Sequence, residues 1–216
     1  MILSRGRRYL FIHAPKTGGT SMALALEARA MKDDIMLGDT PKAVKRRKRL
    51  EGVQAAGRLW KHATLADLDG VVHAEELDDL LIFTMVRNPW DRMVSYYHWL
   101  QEQKFEHFAV EYAKRLDFAG FVAEPAIAQS FAHSPVASYV TDAKGVERAD
   151  LFIRLEHLSE DILPLEAHLG FELEMPHVNK STRSQDYRKS YTDRSREHVA
   201  QMCAADIARF EYQFDT

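Results

Sequence analysis

The 216-residue chain has one cysteine, Cys203, together with only seven prolines and ten glycines. A single thiol excludes an internal disulfide framework and any metal site that needs several cysteines. The longest apolar run, residues 80–86, falls far short of the ~18 residues that a membrane-spanning helix needs. The apolar run nearest the N-terminus, residues 9–12, is too short for the core of a signal peptide. We therefore expect a soluble, cytoplasmic chain without a membrane span.

The chain also lacks a large excess of charge of either sign, since its formal net charge is only −3. This balance predicts no general attraction to nucleic acid or to anionic membranes, so any site for an anion must be local. The ten histidines and the single cysteine form neither a His-Glu-x-x-His nor a Cys-x-x-Cys motif, and we expect no protein-held metal. A hydrophobic content of 46% excludes a disordered chain and is sufficient for one α/β domain over residues 1–216.

Apolar runs alternate with helical patterns along the chain. Strands are predicted at residues 9–13, 80–86 and 151–155. Helices or helical stretches are predicted at 22–31, 41–54, from 64, 89–103, 105–132, 159–169 and 192–210. Such alternation predicts an α/β fold with three layers, α/β/α, around a central parallel sheet.

The first candidate site lies between the first strand and the first helix. Its sequence, Ala14-Pro15-Lys16-Thr17-Gly18-Gly19-Thr20-Ser21, contains the only adjacent glycine pair in the chain. Glycines let backbone N–H groups approach a ligand, and a helix N-terminus favours an anion. Lysine and hydroxyl side chains would complete a cradle the size of a phosphate. The motif is not a Walker A loop, because no Gly-Lys dipeptide occurs in the chain.

The second candidate site follows the strongest predicted strand. Arg87 stands at its carboxyl end, where open α/β sheets usually bind ligands, and a guanidinium binds phosphate through two parallel hydrogen bonds. Asn88 is predicted to cap the next helix and Pro89 to occupy its first turn. Ser95, within that helix, is a second candidate for the same anion. We expect Asp91 and Arg92 to support the loop and not to touch a ligand.

Together the two segments resemble those of sulfotransferases. "FIHAPKTGGTS" is similar to the 5′-phosphosulfate loop of that family, and "VRNPWDRMVSYY" to its 3′-phosphate motif. The pattern resembles the carbohydrate branch related to uronyl and heparan 2-O-sulfotransferases and its small bacterial relatives. "KHATLADL", "FIRLEHL", "HVNKS" and "DIARFEYQF" extend the resemblance over most of the chain. Many relatives carry glutamine where Val136 follows Pro135, a departure that concerns acceptor contacts and not donor binding.

The resemblance implies a P-loop-like fold, a role for each site residue and a co-substrate, 3′-phosphoadenosine 5′-phosphosulfate (PAPS). Lys16 would contact the 5′-phosphate and the bridging oxygen, and His62 would be the catalytic base. The 5′-phosphate and sulfonate would be held by Thr17, Gly18, Gly19, Thr20 and Ser21. Arg87 and Ser95 would hold the 3′-phosphate, and Lys180, Ser181 and Thr182 would close over the nucleotide. The acceptor would be a hydroxyl, that of a saccharide, with no metal required.

Three questions stay open at the level of sequence. A small-molecule kinase on a related fold, or a nucleotide- or polyanion-binding module without turnover, are the alternative functions. His13, at the end of the first strand, is a second candidate base, with a structural role favoured. The basic run of residues 42–49 is either a solvated helix face or an acceptor-binding patch, with one side formed by Lys42, Lys45, Arg46 and Arg49.

Overall fold

The computed structural model describes residues 1–176 and 186–215. The chain divides into two compact units, which are described separately. The first comprises Met1–Val86 and Val136–Val178, and the second comprises Arg87–Pro135 and Asn179–Thr216. No helix in the described ranges is long and apolar enough to cross a membrane.

A five-stranded mixed sheet forms the centre of the first unit. Its strands are β1 (Ile2–Ser4), β2 (Tyr9–Ile12), β3 (Ile35–Met36), β4 (Leu81–Val86) and β5 (Leu151–Arg154), in the order β3-β1-β2-β4-β5. β2, β4 and β5 are parallel, and this confirms the predicted parallel centre. β1 and β3 add antiparallel strands that the sequence did not predict, because runs of three and two residues carry too little periodicity.

Apolar side chains leave this sheet on both faces. Alternate residues of β2 show the pattern, since Tyr9 and Phe11 enter one buried cluster while Leu10 and Ile12 enter another. Met22 and Leu26 of the first helix complete the first cluster, and Val140 belongs to the second. Helical segments therefore cover both faces of the sheet in this unit, as predicted for an α/β/α arrangement.

The described residues contain twelve α-helices. In chain order they are α1 (Gly19–Ala28), α2 (Pro41–Arg46), α3 (Ala74–Leu77), α4 (Pro89–Gln101), α5 (Phe108–Arg115), α6 (Phe118–Ala123), α7 (Pro125–Ala132), α8 (Val136–Val140), α9 (Leu158–Asp161), α10 (Leu163–Leu169), α11 (Asp193–Met202) and α12 (Ala204–Phe210). The second unit is built from α4 to α7 with α11 and α12.

Several long predicted helices are shorter or divided in the structure. The stretch 105–132 becomes three helices, because Asp117 caps α6 through the N–H of Gly120 and Pro125 opens α7. Residues 192–210 divide at Cys203, where the backbone leaves helical geometry. The predicted helix start at Thr64 is a 3-10 turn, Ala66–Leu68, although Thr64 and Asp67 make the expected reciprocal hydrogen bonds.

Candidate functional site

The loop between β2 and α1 has an unusual backbone. Lys16 has φ of 64° and Gly18 has φ of 87°, so both lie in the left-handed region. Glycine adopts this conformation without cost, whereas for lysine it is strained by about 1–3 kcal/mol. Such turns direct successive backbone N–H groups to one concave side, an arrangement that binds anions. The conformation is therefore consistent with the anion cradle that the sequence predicts.

The N-terminus of α1 adds to this cradle. Gly18 is its N-cap residue, and no side chain caps the helix. Thr17 is buried, and its hydroxyl donates to the carbonyl oxygen of Ala14 at 2.8 Å, so this hydroxyl proton braces the loop. Thr20 and Ser21 lie in the first turn and are partly exposed. Besides the ammonium of Lys16, the loop thus offers backbone N–H groups and these two hydroxyls as donors to an anion.

Both glycines of the loop are closely packed, and Gly18 also has a positive φ that residues with a side chain rarely adopt. A Cβ atom at Gly19 would fall inside contact distance of Cδ2 and Nε2 of His13. A Cβ atom at Gly18 would lie 2.9 Å from Cδ1 of Leu155 and 3.3 Å from Cε of Met85. The imidazole of His13 therefore lies directly against the first residue of α1.

His62 contacts both the backbone and the ring of His13. Its Nδ1 is 2.8 Å from the carbonyl oxygen of His13, and the two rings meet edge to face with centroids 4.6 Å apart. A carbonyl oxygen can only accept, so Nδ1 of His62 carries the proton and donates it. The remaining ring nitrogen, Nε2, is then the basic one. The structure thus brings the predicted base and the predicted anion loop together within the first unit.

Burial keeps both imidazoles neutral. It lowers the pKa of His62 to about 4, while the hydrogen bond to His13 opposes the change and the nearby Lys61 ammonium adds to it. The pKa of His13 is lowered well below its ordinary value, chiefly by burial. His13 is buried and lies against Gly19, which supports the structural role that the sequence favoured for it.

In the second unit Arg87 is held by an acidic neighbour. Its Nη2 lies 2.5 Å and its Nε 2.8 Å from Oδ2 of Asp91, one turn into α4. Both side chains are largely buried. The pair orients the guanidinium, as expected for an arginine that must present a fixed geometry. Asp91 therefore supports Arg87, and the expectation that it does not touch a ligand stays a prediction.

The remaining residues of the second predicted site lie at the start of α4 or within it. Asn88 caps the helix by accepting the N–H of Trp90, and Pro89 occupies the first turn, as predicted. Arg92 is buried, lies 3.9 Å from Asp206 and faces the ring of Phe131, so it supports the fold as expected. Ser95 is partly exposed in the same helix. Lys180, Ser181 and Thr182 lie outside the described residues.

The basic run of residues 42–49 makes hydrogen bonds within the protein that neither a solvated helix face nor an acceptor-binding patch predicts. Lys42, Arg46 and Arg49 donate to the backbone carbonyl oxygens of Glu27, Asp34 and Lys32, respectively. These side chains therefore hold α2 and the following 3-10 turn against the last turn of α1 and the residues that follow it. Lys45 is exposed on the same stretch.

Sequence reasoning missed an ion pair beside His62. Nζ of Lys61 lies 2.6 Å from Oδ2 of Asp39, and this hydrogen bond lowers the pKa of the Asp39 carboxyl. The partners are 22 residues apart, and no periodicity connects them. Lys61 is part of the "KHATLADL" segment, so its adjacency to His62 was the only available signal.

Comparison with known proteins decides the class. A model of the Sulfotransferase family matches residues 1–213. The chain belongs to the sulfotransferase family. The crystal structure of the mouse sulfotransferase SULT7A1 complexed with PAP is similar in fold, with a TM-score of 0.52 and 15% sequence identity. The likeness covers 94% of this chain and 88% of the mouse chain. Comparison with curated proteins gives no match.

The family match confirms the predicted sulfotransferase and the P-loop-like α/β fold. It decides against the kinase that the sequence had left open, in agreement with the missing Walker A motif. The match spans both units, since it begins at Met1, just before β1, and ends after α12.

The packing of His13 on Gly19 in this sulfotransferase predicts a specific coupling between the two positions. Gly19→Ala inserts a methyl group where the imidazole lies and should lower the free energy of unfolding by about 1–3 kcal/mol. In a His13→Ala background the same change should be neutral or stabilising by up to about 1 kcal/mol, because alanine favours a helix over glycine. Urea unfolding of the wild type, both single variants and the double variant measures this coupling. An equal cost of Gly19→Ala in both backgrounds would contradict the packing.

The low pKa of His62 predicts a loss of stability in mild acid. Unfolded His62 titrates at its ordinary value of 6.5, whereas the folded residue titrates at about 4, so between these values the unfolded chain binds the additional proton. Stability should therefore fall with decreasing pH, by about 2 kcal/mol between pH 7 and 5 from this residue alone. His62→Gln removes this contribution and should show a shallower fall, while His13 retains its own. Urea unfolding at a series of pH values provides the measurement, and identical slopes in the two proteins would disprove the assignment.

Proposed function

We propose that this sulfotransferase moves the sulfonate of PAPS to an acceptor hydroxyl of a saccharide. The observation that carries the proposal is the position of His62. Its Nδ1 is held on the carbonyl oxygen of His13, whose ring contacts both His62 and Gly19 of the loop, and Nε2 would then be the basic nitrogen. The PAP bound by the mouse relative supports a donor of this class.

The loop between β2 and α1 fits the 5′ end of such a donor. Lys16 would neutralise charge on the 5′-phosphate and on the bridging oxygen. Backbone N–H groups of residues 17–20, with the hydroxyls of Thr20 and Ser21, would hold the phosphate and the sulfonate, while the N–H of Ser21 donates to the carbonyl oxygen of Gly18. The uncapped start of α1 and the left-handed backbone at Lys16 and Gly18 support this role, because both direct N–H dipoles toward an anion.

Arg87 and Ser95 are the candidates for the 3′-phosphate. The pairing of Arg87 with Asp91 supports this assignment, since it preorganises a guanidinium that is largely buried. One family model covers residues 1–213, which supports a single sulfotransferase domain over the chain. A cytoplasmic location stays a prediction from the sequence.

The chemistry needs a base and a stabilised leaving group. Nε2 of His62 would take the proton of the acceptor hydroxyl as the acceptor oxygen bonds to sulfur. The bond between sulfur and the bridging oxygen breaks, and Lys16 would balance the charge that develops on that oxygen as 3′,5′-ADP leaves. As in phosphoryl transfer, positioning and charge stabilisation by the protein would provide most of the acceleration.

The low pKa of His62 keeps the proposed base neutral but also makes it weak. It ensures a neutral imidazole at pH 7, but a base with a pKa of about 4 accepts a proton weakly. Donor binding would correct this, because negative charge nearby stabilises the imidazolium and raises the pKa. The base would therefore become effective when the donor is in place.

The assignment of a saccharide acceptor rests on the resemblance to the carbohydrate branch. Val136, at the position where many relatives carry glutamine, is buried at the start of α8. Its side chain is thus part of the interior, and acceptor contacts in this sulfotransferase would come from other residues.

Donor binding predicts selective stabilisation by the desulfated product. At a hundredfold excess over its dissociation constant, 3′,5′-ADP should stabilise the fold by about 2.7 kcal/mol. For a chain of this size this raises the melting temperature by about 5–10 °C. Lys16→Met should lose most of the shift, whereas Lys104→Met, which changes an exposed lysine in the second unit, should keep it. A shift with ATP–Mg²⁺ and none with 3′,5′-ADP would refute the proposal.

The role of His62 predicts a loss of turnover without a loss of donor binding. Transfer of radiolabelled sulfate from PAPS, screened over polysaccharides, small sugars and phenols, first identifies an acceptor. With that acceptor, His62→Ala should lower kcat by about 10²–10⁴-fold, while its melting shift with 3′,5′-ADP is retained. His73→Ala, at an exposed histidine of the same unit, serves as the control. Unchanged kcat in His62→Ala would exclude it as the base, and a shift with 3′,5′-ADP without transfer to any acceptor would favour a non-catalytic binding module.

A further inference from the structure

The first turn of α4 is held by residues 99 and 125 positions further along the chain. Asn88 is buried, and its side-chain oxygen caps α4 by accepting the N–H of Trp90 at 3.1 Å. Its side-chain nitrogen donates to the hydroxyl of Tyr187 at 3.3 Å and to the carbonyl oxygen of Gln213 at 2.9 Å. Because the cap requires the oxygen on the side of the helix, the amide nitrogen faces the late segments. Asn88 therefore joins the start of α4 to both of them.

The hydroxyl of Tyr187 carries this connection one step further. It accepts a hydrogen bond from the side chain of Asn88 and donates to the carbonyl oxygen of Phe214 at 2.5 Å. A phenolic hydroxyl can do both at once, because it has one proton to give and lone pairs to accept with. Hydrogen bonds linked in this way strengthen one another. Tyr187 thus connects the cap of α4 with the backbone at Phe214.

The ring of Phe214 lies at the centre of an aromatic cluster. The rings of Trp90, Tyr187 and Tyr191 stand nearly perpendicular to it, with centroid distances of 5.7, 5.8 and 5.3 Å. The guanidinium carbon of Arg196 lies 5.5 Å from the same centroid. Edge-to-face contacts are a favoured arrangement of aromatic rings, and a cation over a ring face adds attraction. Phe214 is therefore held by four side chains of the second unit.

Trp90, in the first turn of α4, is also bonded to these residues at both of its polar groups. The hydroxyl of Tyr191 donates to its carbonyl oxygen at 2.9 Å, and its indole N–H donates to the carbonyl oxygen of Arg196 at 3.0 Å. Backbone and side chain are thus fixed together. The group formed by Tyr187, Tyr191, Arg196 and Phe214 is referred to below as the Phe214 clasp.

The Phe214 clasp holds the residues that directly follow Arg87. Arg87 precedes Asn88 in the chain, and its guanidinium is paired with Asp91 of α4. Ser95 stands four residues beyond Asp91, and residues four apart share one side of a helix. The positions of Arg87 and Ser95, the proposed ligands of the 3′-phosphate, therefore depend on where α4 begins. The Phe214 clasp fixes that point from outside the helix.

Resting on the proposed function, we propose that Tyr187 and Phe214 are positioning residues for the 3′-phosphate of the donor. They act through Asn88 and the first turn of α4, and they do not bind the nucleotide themselves. A clasp that served only the fold would stabilise the protein without any preference among ligands. A positioning clasp contributes instead to the difference between a nucleotide with a 3′-phosphate and one without it, because a small misplacement of a charged ligand weakens its hydrogen bonds.

The test compares 3′,5′-ADP with 5′-AMP, which lacks the 3′-phosphate. Calorimetry on the intact protein gives both dissociation constants, and their ratio measures what the 3′-phosphate contributes. Tyr187→Phe removes only the hydroxyl that links Asn88 to Phe214. We expect it to weaken 3′,5′-ADP binding about tenfold and to leave 5′-AMP binding unchanged. Phe214→Leu, which keeps an apolar side chain but removes the ring, should lower the ratio in the same direction.

Tyr97→Phe is the matched control for Tyr187→Phe. Tyr97 lies in α4 of the same unit, and its hydroxyl also donates to a backbone carbonyl oxygen, that of Leu116, at 2.8 Å. The control should therefore lose a comparable free energy of unfolding in urea and keep the full preference for 3′,5′-ADP. An equal fall of the ratio in Tyr97→Phe and Tyr187→Phe would reflect general destabilisation and would overturn the proposal.

A double-mutant cycle shows whether the Phe214 clasp acts through Arg87. Arg87→Gln should by itself remove most of the preference for 3′,5′-ADP. In that background Tyr187→Phe should have little further effect on the ratio, because two changes that act through one contact are not additive. A tenfold loss from Tyr187→Phe in both backgrounds would contradict the proposal.

The outcomes separate this inference from the function on which it rests. If Arg87→Gln lowers the ratio while Tyr187→Phe and Phe214→Leu leave it intact, the positioning role is overturned and the 3′-phosphate site is kept. If wild-type protein does not bind 3′,5′-ADP, or if Arg87→Gln leaves the ratio unchanged, the proposed function itself fails in this part and the positioning role fails with it.

Discussion

The imidazole of His13 occupies the space that a side chain at position 19 would fill, and this contact joins the parts of the site in the first unit. Because residue 19 is glycine, the end of β2 can lie against the first turn of α1. The same residue presents its carbonyl oxygen to His62. One buried residue therefore sets the position of the helix start, the tautomer of the neighbouring histidine and the direction in which its basic nitrogen points.

Electrostatics in this protein are local. The chain is slightly acidic overall, yet Lys16 lies in a strained turn at a helix N-terminus, and Arg87 is held by Asp91. Burial keeps His62 neutral, and the Lys61 ammonium strengthens this effect. In each unit the proposed anion-binding residues are thus held in place before any ligand arrives, which would suit a reaction in which fixed charges and dipoles do most of the work. As the proposed base, His62 would be weak until negative charge is bound nearby.

The fold illustrates what short-range sequence patterns can predict. β2, β4 and β5 were predicted because each contains a short apolar run, and the cap of α4 was predicted because Asn88 and Pro89 have strong positional preferences. β1 and β3 were missed because they are formed by pairing with neighbours and not by their own periodicity. The breaks at Asp117 and Cys203 were missed because an apolar helical pattern can continue across a change of helix axis.

The site shows the same division. By itself the sequence determined the class of the protein, through its resemblance to sulfotransferases, and it predicted two anion-binding segments, because a glycine pair, a lysine and an arginine near strand ends are local motifs. The tertiary structure alone decided that His13 lies on Gly19, that its carbonyl oxygen fixes the proton on Nδ1 of His62, and that Asp39 pairs with Lys61. These contacts join residues that are 6, 49 and 22 positions apart. Only packing brings such residues together, because burial and hydrogen-bond geometry depend on neighbours that no short-range motif specifies.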